Sequence, residues 1–488
     1  AGLGAMPRQA PEARGGGGSV SVVVRVRPPL PREAAHGHCT RVQGNRVHLT
    51  TSAPEGPRKG GGGGLAPERR ARAVECAYDR ALDMSASQED VWNAVRPMVE
   101  RALEGYNATV LTYGMTGSGK TYTMLGPTLM NSVLEGAAVP GADELQQCDQ
   151  RGLVPRVLHH VFQQLRCDRW RGACPTVTLS YMQIYQEQCY DLLRPAARAR
   201  PLRVREAGGA PAASGVLVEG LREEAVDTAE ACLERLAYGF CNIAFRATNY
   251  NEQSSRSHSV LTLTIRQAGE AAGTSVQSKI RLVDLAGNER WDTFGSDITK
   301  LHSRELASIN KSLHVLGLCV QALSQAPAVS KRDGHVVAPH VPYRDSALTM
   351  VLRDSLSGNS FTTLLCTLCG SALYQVQSLC TLRFADRAKR IKMHAKIAEE
   401  ADCQGQRESE LAYLRSLVAS KSMQGATVEQ QKQLEQQLSE LEQANDALMG
   451  ENRTLKEQLE TMRATASASW AAQGGGAGGA PWGGRGAA

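Results

Sequence analysis

The chain has 488 residues, 42% of them hydrophobic, which is enough to build a substantial core and excludes a disordered polymer. A formal charge of +6 is mildly basic: it allows an acidic partner and excludes the charge density of a histone-like nucleic-acid binder. No apolar run reaches the length of a membrane span, the opening residues lack a secretory apolar segment, and the 13 cysteines are scattered, so a cytosolic protein with reduced thiols is expected.

In chain order, residues 1–18 are Gly-, Pro- and Arg-rich and read as a disordered lead; with no Met at position 1, a fragment of a longer chain is expected. The β-branched run from Val20 to Arg27, closed by Pro28, predicts a strand entering a turn. The glycine tract at 60–64 reads as a surface loop. From Ala86 the spacing of Val91, Val95, Met98, Val99 and Leu103 predicts a helix, stopped by Glu104-Gly105-Tyr106-Asn107. The apolar run at 108–113 then reads as a buried parallel strand, and it leads into Gly114-Met115-Thr116-Gly117-Ser118-Gly119-Lys120-Thr121.

That octet is a complete G-x-x-x-x-G-K-T. Its glycines let backbone N–H groups turn inward onto phosphate oxygens, Lys120 reaches the β- and γ-phosphates, and the Thr121 hydroxyl is placed for Mg²⁺. After Leu125-Gly126-Pro127 an irregular segment runs to Gln150, too long for an ordinary connection. Strands at 176–185 and 259–265 alternate with helices, which argues for an α/β layer fold. Cys366 and Cys369 lie in an apolar strand at 362–369, on opposite faces and with no second pair, so a zinc site is not expected.

Two more segments sharpen the chemistry. Residues 279–289 form an apolar strand that delivers Asp284 and then Gly287, Asn288 and Glu289; Asp284 suits the Mg²⁺ water shell and the Gly287 N–H a γ-phosphate. Asn251-Glu252-Gln253-Ser254-Ser255-Arg256-Ser257-His258 gathers hydroxyls and a guanidinium, groups that position water and sense a γ-phosphate, and an Arg256–Glu289 ion pair is expected to close over it.

These three segments resemble the P-loop, switch I and switch II of the kinesin motor family. The resemblance extends to residues 25–28, 86–88, 104–107, 152–156, 180–185, 309–313, 340–346 and 382–385, and so covers most of the chain. It implies a P-loop NTPase: a central, mostly parallel twisted sheet flanked by helices. Adenine would lie between Pro28 and Tyr122, with Arg25 and Arg27 alongside. Thr121 and Ser255 would ligate Mg²⁺ and Asp284 would act through water. Ser254, Arg256 and Glu289 would align the lytic water, with Asn251 and Gly287 in the same switch segments. The helix after switch II and its flanking loops would face tubulin, making Arg290, Lys311, Tyr343 and Arg344 candidate contacts.

The departures from the family pattern cluster on the partner-facing side. Ala347 and Met350 stand where basic residues are common, although Arg353 adds a charge nearby. The loop after Glu289 is altered and about two residues longer than usual. Ile243 replaces an Arg behind switch I, Met115 a P-loop Gln and Asn288 a Ser, none of them a phosphate or Mg²⁺ ligand.

The motor domain is expected over 19–392 and a neck linker and neck over 393–427. Ile391 and Ile397 would dock apolar side chains, while Met393 and Ala398 replace Asn and weaken backbone latching. Leu434, Leu441, Leu448, Leu455 and Met462 recur every seven residues with Asn445 and Asn452 between them, predicting a parallel dimeric coiled coil over 428–465. A disordered Gly-rich tail follows at 466–488. The expected function is an ATP-hydrolysing, Mg²⁺-dependent, plus-end-directed microtubule motor of the cytoplasmic cytoskeleton, a homodimer with no nucleic-acid partner and no membrane span. The alternative is a microtubule-binding module whose ATPase is weak or uncoupled. An ordinary P-loop kinase or GTPase leaves residues 309–313 and 343–346 unexplained.

Overall fold

A computed structural model describes residues 17–51, 72–134, 148–167, 175–196, 199–206, 215–250, 256–268, 274–289, 300–325, 328–329, 336–337 and 339–401. The expectations for most of the lead, the loop at 60–64, switch residues 251–255, the altered loop at 290–298, the coiled coil at 428–465 and the tail at 466–488 fall outside these residues. Packing separates one unit, residues 1–270 and 275–400, from a second made of 271–274 and 401–488. The first is described below.

Its elements begin with β1 (Gly17–Ser19), β2 (Ser21–Arg27), β3 (Thr40–Gln43), β4 (Arg46–Thr51), β5 (Arg72–Ala77) and β6 (Arg80–Leu82). Then come α1 (Gln88–Leu103), β7 (Ala108–Tyr113), α2 (Lys120–Leu125), α3 (Pro127–Leu134), α4 (Leu153–Leu165), β8 (Thr176–Tyr185), β9 (Gln188–Asp191), β10 (Val204–Glu206), β11 (Val216–Val218), β12 (Glu224–Ala225) and α5 (Ala229–Tyr250). The rest are β13 (His258–Ala268), β14 (Thr274–Asp284), α6 (Lys300–Leu323), β15 (Ala328–Val329), β16 (Val336–Val337), α7 (Ala347–Val351), α8 (Arg353–Leu356), β17 (Phe361–Cys369), α9 (Gln375–Ala388) and β18 (Lys392–His394).

The central sheet runs in the order β12-β8-β13-β14-β7-β17-β2-β6. Pairings from β14 to β6 are parallel, as the apolar runs require, whereas β12, β8, β13 and β14 pair antiparallel. The sheet is therefore mixed, because the long hairpin β13–β14 turns back at its middle.

Alternation along each strand divides the core into two layers. Val23, Ala108, Val110, Leu263, Ile280 and Leu282 face α1 to α5, while Val22, Val24, Leu111, Val283, Leu364 and Cys366 face α6 to α9. Helix α1 starts where Ser87 and Asp90 form a reciprocal capping box, with the Ser87 N–H donating to Asp90 Oδ2 at 2.8 Å. Val91, Val95, Met98 and Val99 are its buried stripe.

The segment after Gly126, expected to be irregular, begins instead as helix α3, with Pro127 at its first position. The strand expected at 176–185 is one arm of a hairpin with β9, turned by Gln186 and Glu187, both with positive φ. The domain also continues past residue 392: β18 pairs antiparallel with β1, and Ile391 and Met393 are buried. Ile397 is 40% exposed, yet its Cγ2 would lie 3.2 Å from a Cβ placed at Gly105.

The end of α2 meets the start of α4 backbone to backbone: the Gly152 N–H donates to the Leu125 carbonyl at 3.2 Å. A Cβ at Gly152 would lie 2.5 Å from the Met124 carbonyl oxygen, with rigid main chain on the other side. Gly152→Ala is expected to destabilise the fold by about 1–3 kcal/mol, the usual cost of overpacking, read as a lower denaturant midpoint at unchanged slope.

Candidate functional site

Strand β7 is buried along its whole length and ends at Tyr113, just before Gly114. A Cβ there would lie 2.6 Å from Thr367 Oγ1 and 2.7 Å from Ser118 Oγ, so only glycine fits. Those two hydroxyls bond each other at 2.7 Å, which pins the loop to β17. Gly117 and Gly119 have φ of +75° and +101°, conformations that cost glycine little, and Gly119 caps α2. Lys120 is buried and curls back onto the loop, donating to the Gly114 and Met115 carbonyls at 2.9 and 3.0 Å. Burial pulls its pKa below the usual lysine range, and Asp284 and Glu289 oppose that.

Register brings the second carboxylate in. β14 lies parallel beside β7 with Asp284 opposite Thr112. Thr112 Oγ1 donates to Asp284 Oδ1 at 2.9 Å and Thr121 Oγ1 to Oδ2 at 2.6 Å. Burial pushes the Asp284 pKa up, while hydrogen bonds from the two threonines and the Lys120 charge pull it down. Thr121 and Asp284 thus form a hard-oxygen pair of the kind Mg²⁺ takes, next to a buried lysine. The residues present fit a magnesium-bound nucleoside triphosphate.

Switch II is laid onto the P-loop. The Asn288 N–H donates to the Gly114 carbonyl at 3.2 Å. Glu289, expected opposite Arg256, accepts from the Thr116 N–H at 2.8 Å and from the Thr116 hydroxyl. Gly287 lets this happen, since a Cβ there would lie 2.6 Å from Glu289 Oε1. Arg256 is half-buried just before β13, whereas Asn251, Ser254, Ser255 and Arg290 lie outside the described residues. His258, at the head of β13, is buried: it accepts from the Ala286 N–H and bonds Ser312 of α6. Burial, with Lys120 nearby, lowers its pKa to about 3, so the ring is neutral. Ile243, in place of the family's Arg, is core.

On the base side, Pro28 is exposed and Tyr122 half-buried. Arg25 and Arg27 are occupied by protein partners. Arg25 Nη1 donates to Gln88 Oε1 and Thr123 Oγ1, each at 3.0 Å, and its guanidinium lies 5.6 Å from the Tyr122 ring centroid. Arg27 Nε donates to the Gly117 carbonyl at 2.6 Å, and its two terminal nitrogens grip Glu33 at 2.7 and 2.6 Å. Glu33 is 1% exposed, and Arg27 holds its pKa down at about 2. Sequence reasoning missed Glu33, Gln88 and Thr123. The signal for Glu33 was a capping position, three residues after Leu30 whose N–H it accepts at 2.9 Å.

Of the residues expected to face a partner, Lys311 is exposed on α6. Tyr343 is half-buried, and burial pushes its hydroxyl up to about 12. Arg344 and Arg353 share one carboxylate, Glu206 of β10, at 2.7 and 2.9 Å. Glu187 accepts from Ser346 Oγ at 3.1 Å and from the Ala347 N–H at 2.9 Å. Among the described residues no helix is long and apolar enough to cross a membrane.

The kinesin motor domain family matches residues 25–391. The kinesin heavy chain of Neurospora crassa is 37% identical over 324 residues, 66% of this chain and 31% of that one. Kinesin-like protein KIF15 of Strongylocentrotus purpuratus is 34% identical over 424 residues, 84% of this chain and 26% of that one. The chain thus spans about a third or less of the length of these curated relatives. Among solved structures, a fast kinesin superposes with TM-score 0.62 at 34% identity, covering 79% of this chain and 95% of that one. A KIF14 dimer bound to a microtubule by two heads gives 0.62 at 32%, covering 78% and 96%. With the family match spanning residues 25–391 and relatives at 34–37% identity, the chain belongs to the kinesin motor domain family.

Proposed function

We propose that the chain is a microtubule-stimulated ATPase that converts ATP hydrolysis into plus-end-directed movement, working as a homodimer through residues 428–465 on cytoplasmic microtubules. The observation that carries this reading is the junction at Asp284, where the P-loop threonine and the strand threonine converge on one carboxylate. Thr121, Asp284 and, from switch I, Ser255 would hold Mg²⁺, which neutralises charge on the phosphates and orients them for attack. The P-loop amides and Lys120 hold the phosphates, with Met115, Thr116, Gly117, Ser118 and Gly119 forming the cradle. Arg25, Arg27, Pro28 and Tyr122 frame the base.

Glu289 is the group that aligns water, with Arg256, Ser254 and Asn251 from switch I. In the present arrangement Thr116 restrains Glu289, so pairing with Arg256 requires that contact to be released. Switch II then passes its movement to α6, which carries Lys311 toward an acidic filament, with Tyr343, Arg344, Arg353 and Arg290 nearby.

Support for plus-end motion comes from residues 392–396, which lie against the domain. Beside the β1–β18 pairing, the His394 N–H donates to the Gly358 carbonyl at 2.8 Å and the Lys396 N–H to Asn359 Oδ1 at 2.9 Å. An asparagine from before β17 thus supplies a latch that Met393 and Ala398 do not. The alternative, a microtubule-binding module with a weak or uncoupled ATPase, is favoured by Glu206 occupying Arg344 and Arg353 where Ala347 and Met350 already thin the positive charge.

Steady-state turnover measured with and without microtubules separates the two readings: stimulation is expected, and a rate indifferent to microtubules leaves only the alternative. Glu289→Ala should bind ATP as the parent does yet turn over about 100-fold more slowly, since water alignment is lost; a nucleotide-binding titration beside a phosphate-release assay checks this. Glu206→Ala should tighten microtubule co-sedimentation about threefold at low salt by freeing two arginines, with the gain fading as ionic strength rises.

A further inference from the structure

We infer that His258 is a positioning residue that ties the nucleotide-sensing loops to helix α6 through one hydrogen bond at each ring nitrogen; this rests on the reading given under Proposed function. The Ala286 N–H donates to Nδ1 at 3.0 Å. A backbone amide can only donate here, so Nδ1 carries the lone pair and the proton of the neutral ring sits on Nε2. Nε2–H then donates to Ser312 Oγ, 2.8 Å away. The ring is 2% exposed and Ser312 3%, so water does not compete for either bond.

The three residues belong to three elements with separate duties. His258 opens β13, immediately after the segment expected to sense the γ-phosphate, and its neighbour Ser257 is itself held by Gln183 of β8 at 2.9 Å. Ala286 lies between Asp284 and Gly287 in switch II. Ser312 follows the exposed Lys311 on α6, so one helical turn carries both the tie and the cation offered to the filament.

An imidazole is rigid and planar, and hydrogen bonds weaken steeply with misalignment. A shift of the Ala286 amide on nucleotide binding therefore either carries the ring and Ser312 with it or strands a buried donor, which is the costlier course. The ring acts as a short strut from switch II to the filament-facing helix. A histidine that merely filled the core would, when disturbed, weaken the fold without changing how α6 responds to nucleotide.

The test compares the full chain with Ser312→Ala, which removes the acceptor, and Ser312→Thr, which keeps a hydroxyl. Amide hydrogen exchange of α6 is measured with and without a non-hydrolysable ATP analogue, alongside analogue affinity and thermal melting. The expected result is that Ser312→Ala binds the analogue within about twofold of the parent yet shows an analogue-dependent exchange change in α6 smaller by about tenfold, within the ordinary range of allosteric coupling, while Ser312→Thr retains it. A response in Ser312→Ala equal to the parent's overturns the inference, as does a parent α6 that ignores the analogue, or a loss of affinity as large as the loss of response. A parent chain that binds no analogue overturns the functional reading as well, so the two failures are distinguishable.

Discussion

Asp284 accepts a hydrogen bond from Thr112 on the neighbouring strand and another from Thr121 at the start of α2, and the rest of the site depends on that double contact. It exists only in one register of β7 against β14, since a slip by one residue would turn Asp284 to the opposite face. Asn107 fixes the register at the other end. Its side-chain oxygen accepts from the Lys279 N–H at 3.0 Å and its carbonyl from the Phe361 N–H at 2.8 Å, stitching the start of β7 to β14 and β17. The Glu104-Gly105-Tyr106-Asn107 segment that stops helix α1 therefore also aligns the three strands on which the phosphate loop and switch II are mounted.

Charge around the loop is balanced within the protein. Lys120 is opposed by Asp284 and Glu289, and Arg27 by the buried Glu33. A bare phosphate would meet two carboxylates with one lysine to offset them, whereas a phosphate bound to a divalent cation arrives with partners for both signs. Arg27, beside the expected base site, also braces the phosphate loop. Its guanidinium makes four hydrogen bonds, two to Glu33 and one each to the Pro28 and Gly117 carbonyls, and the last of these holds a loop residue in the left-handed region. Breaking such a buried pair by removing one partner leaves an uncompensated charge, so the brace is stiff.

The elements legible in the sequence are those whose signal is local. The stripe of α1, the apolar run of β7 and the G-x-x-x-x-G-K-T glycines each carry their own periodicity or steric demand, and Asp284 announces itself by ending an apolar strand. What was not legible depends on distant partners or on residues that carry no turn signal. Gln186 and Glu187 make a hairpin turn with positive φ at both positions, where Asn or Gly is the usual choice, so β9 is hidden. The β1–β18 pairing joins residues 17–19 to 392–394, a contact no window detects. Arg25 and Arg27 fall where the motif predicts, but their partners Gln88, Thr123 and Glu33 are set by tertiary packing. Glu289 lies beside the P-loop in contact with Thr116, a partner 173 residues away that no local signal announces.

The residues expected to face a partner are held by more than one element. The loop carrying Tyr343, Arg344 and Ser346 is held by two carboxylates, Glu187 in the turn after β8 and Glu206 on β10, a strand that pairs with β11 in a separate two-stranded sheet. Lys311 rides on α6, whose next residue is hydrogen-bonded through His258 to switch II. The same loop and the helix α7 that follows it also pack against α6, so the two groups of candidate contacts are joined through that helix. On the proposed function, a movement of α6 would act on a loop that Glu187 and Glu206 restrain and that packs against the helix itself. Glu206 offsets the charge of Arg344 and Arg353, while Glu187 ties down Ser346 and the Ala347 N–H, so the loop is restrained by the same carboxylates that reduce its free positive charge.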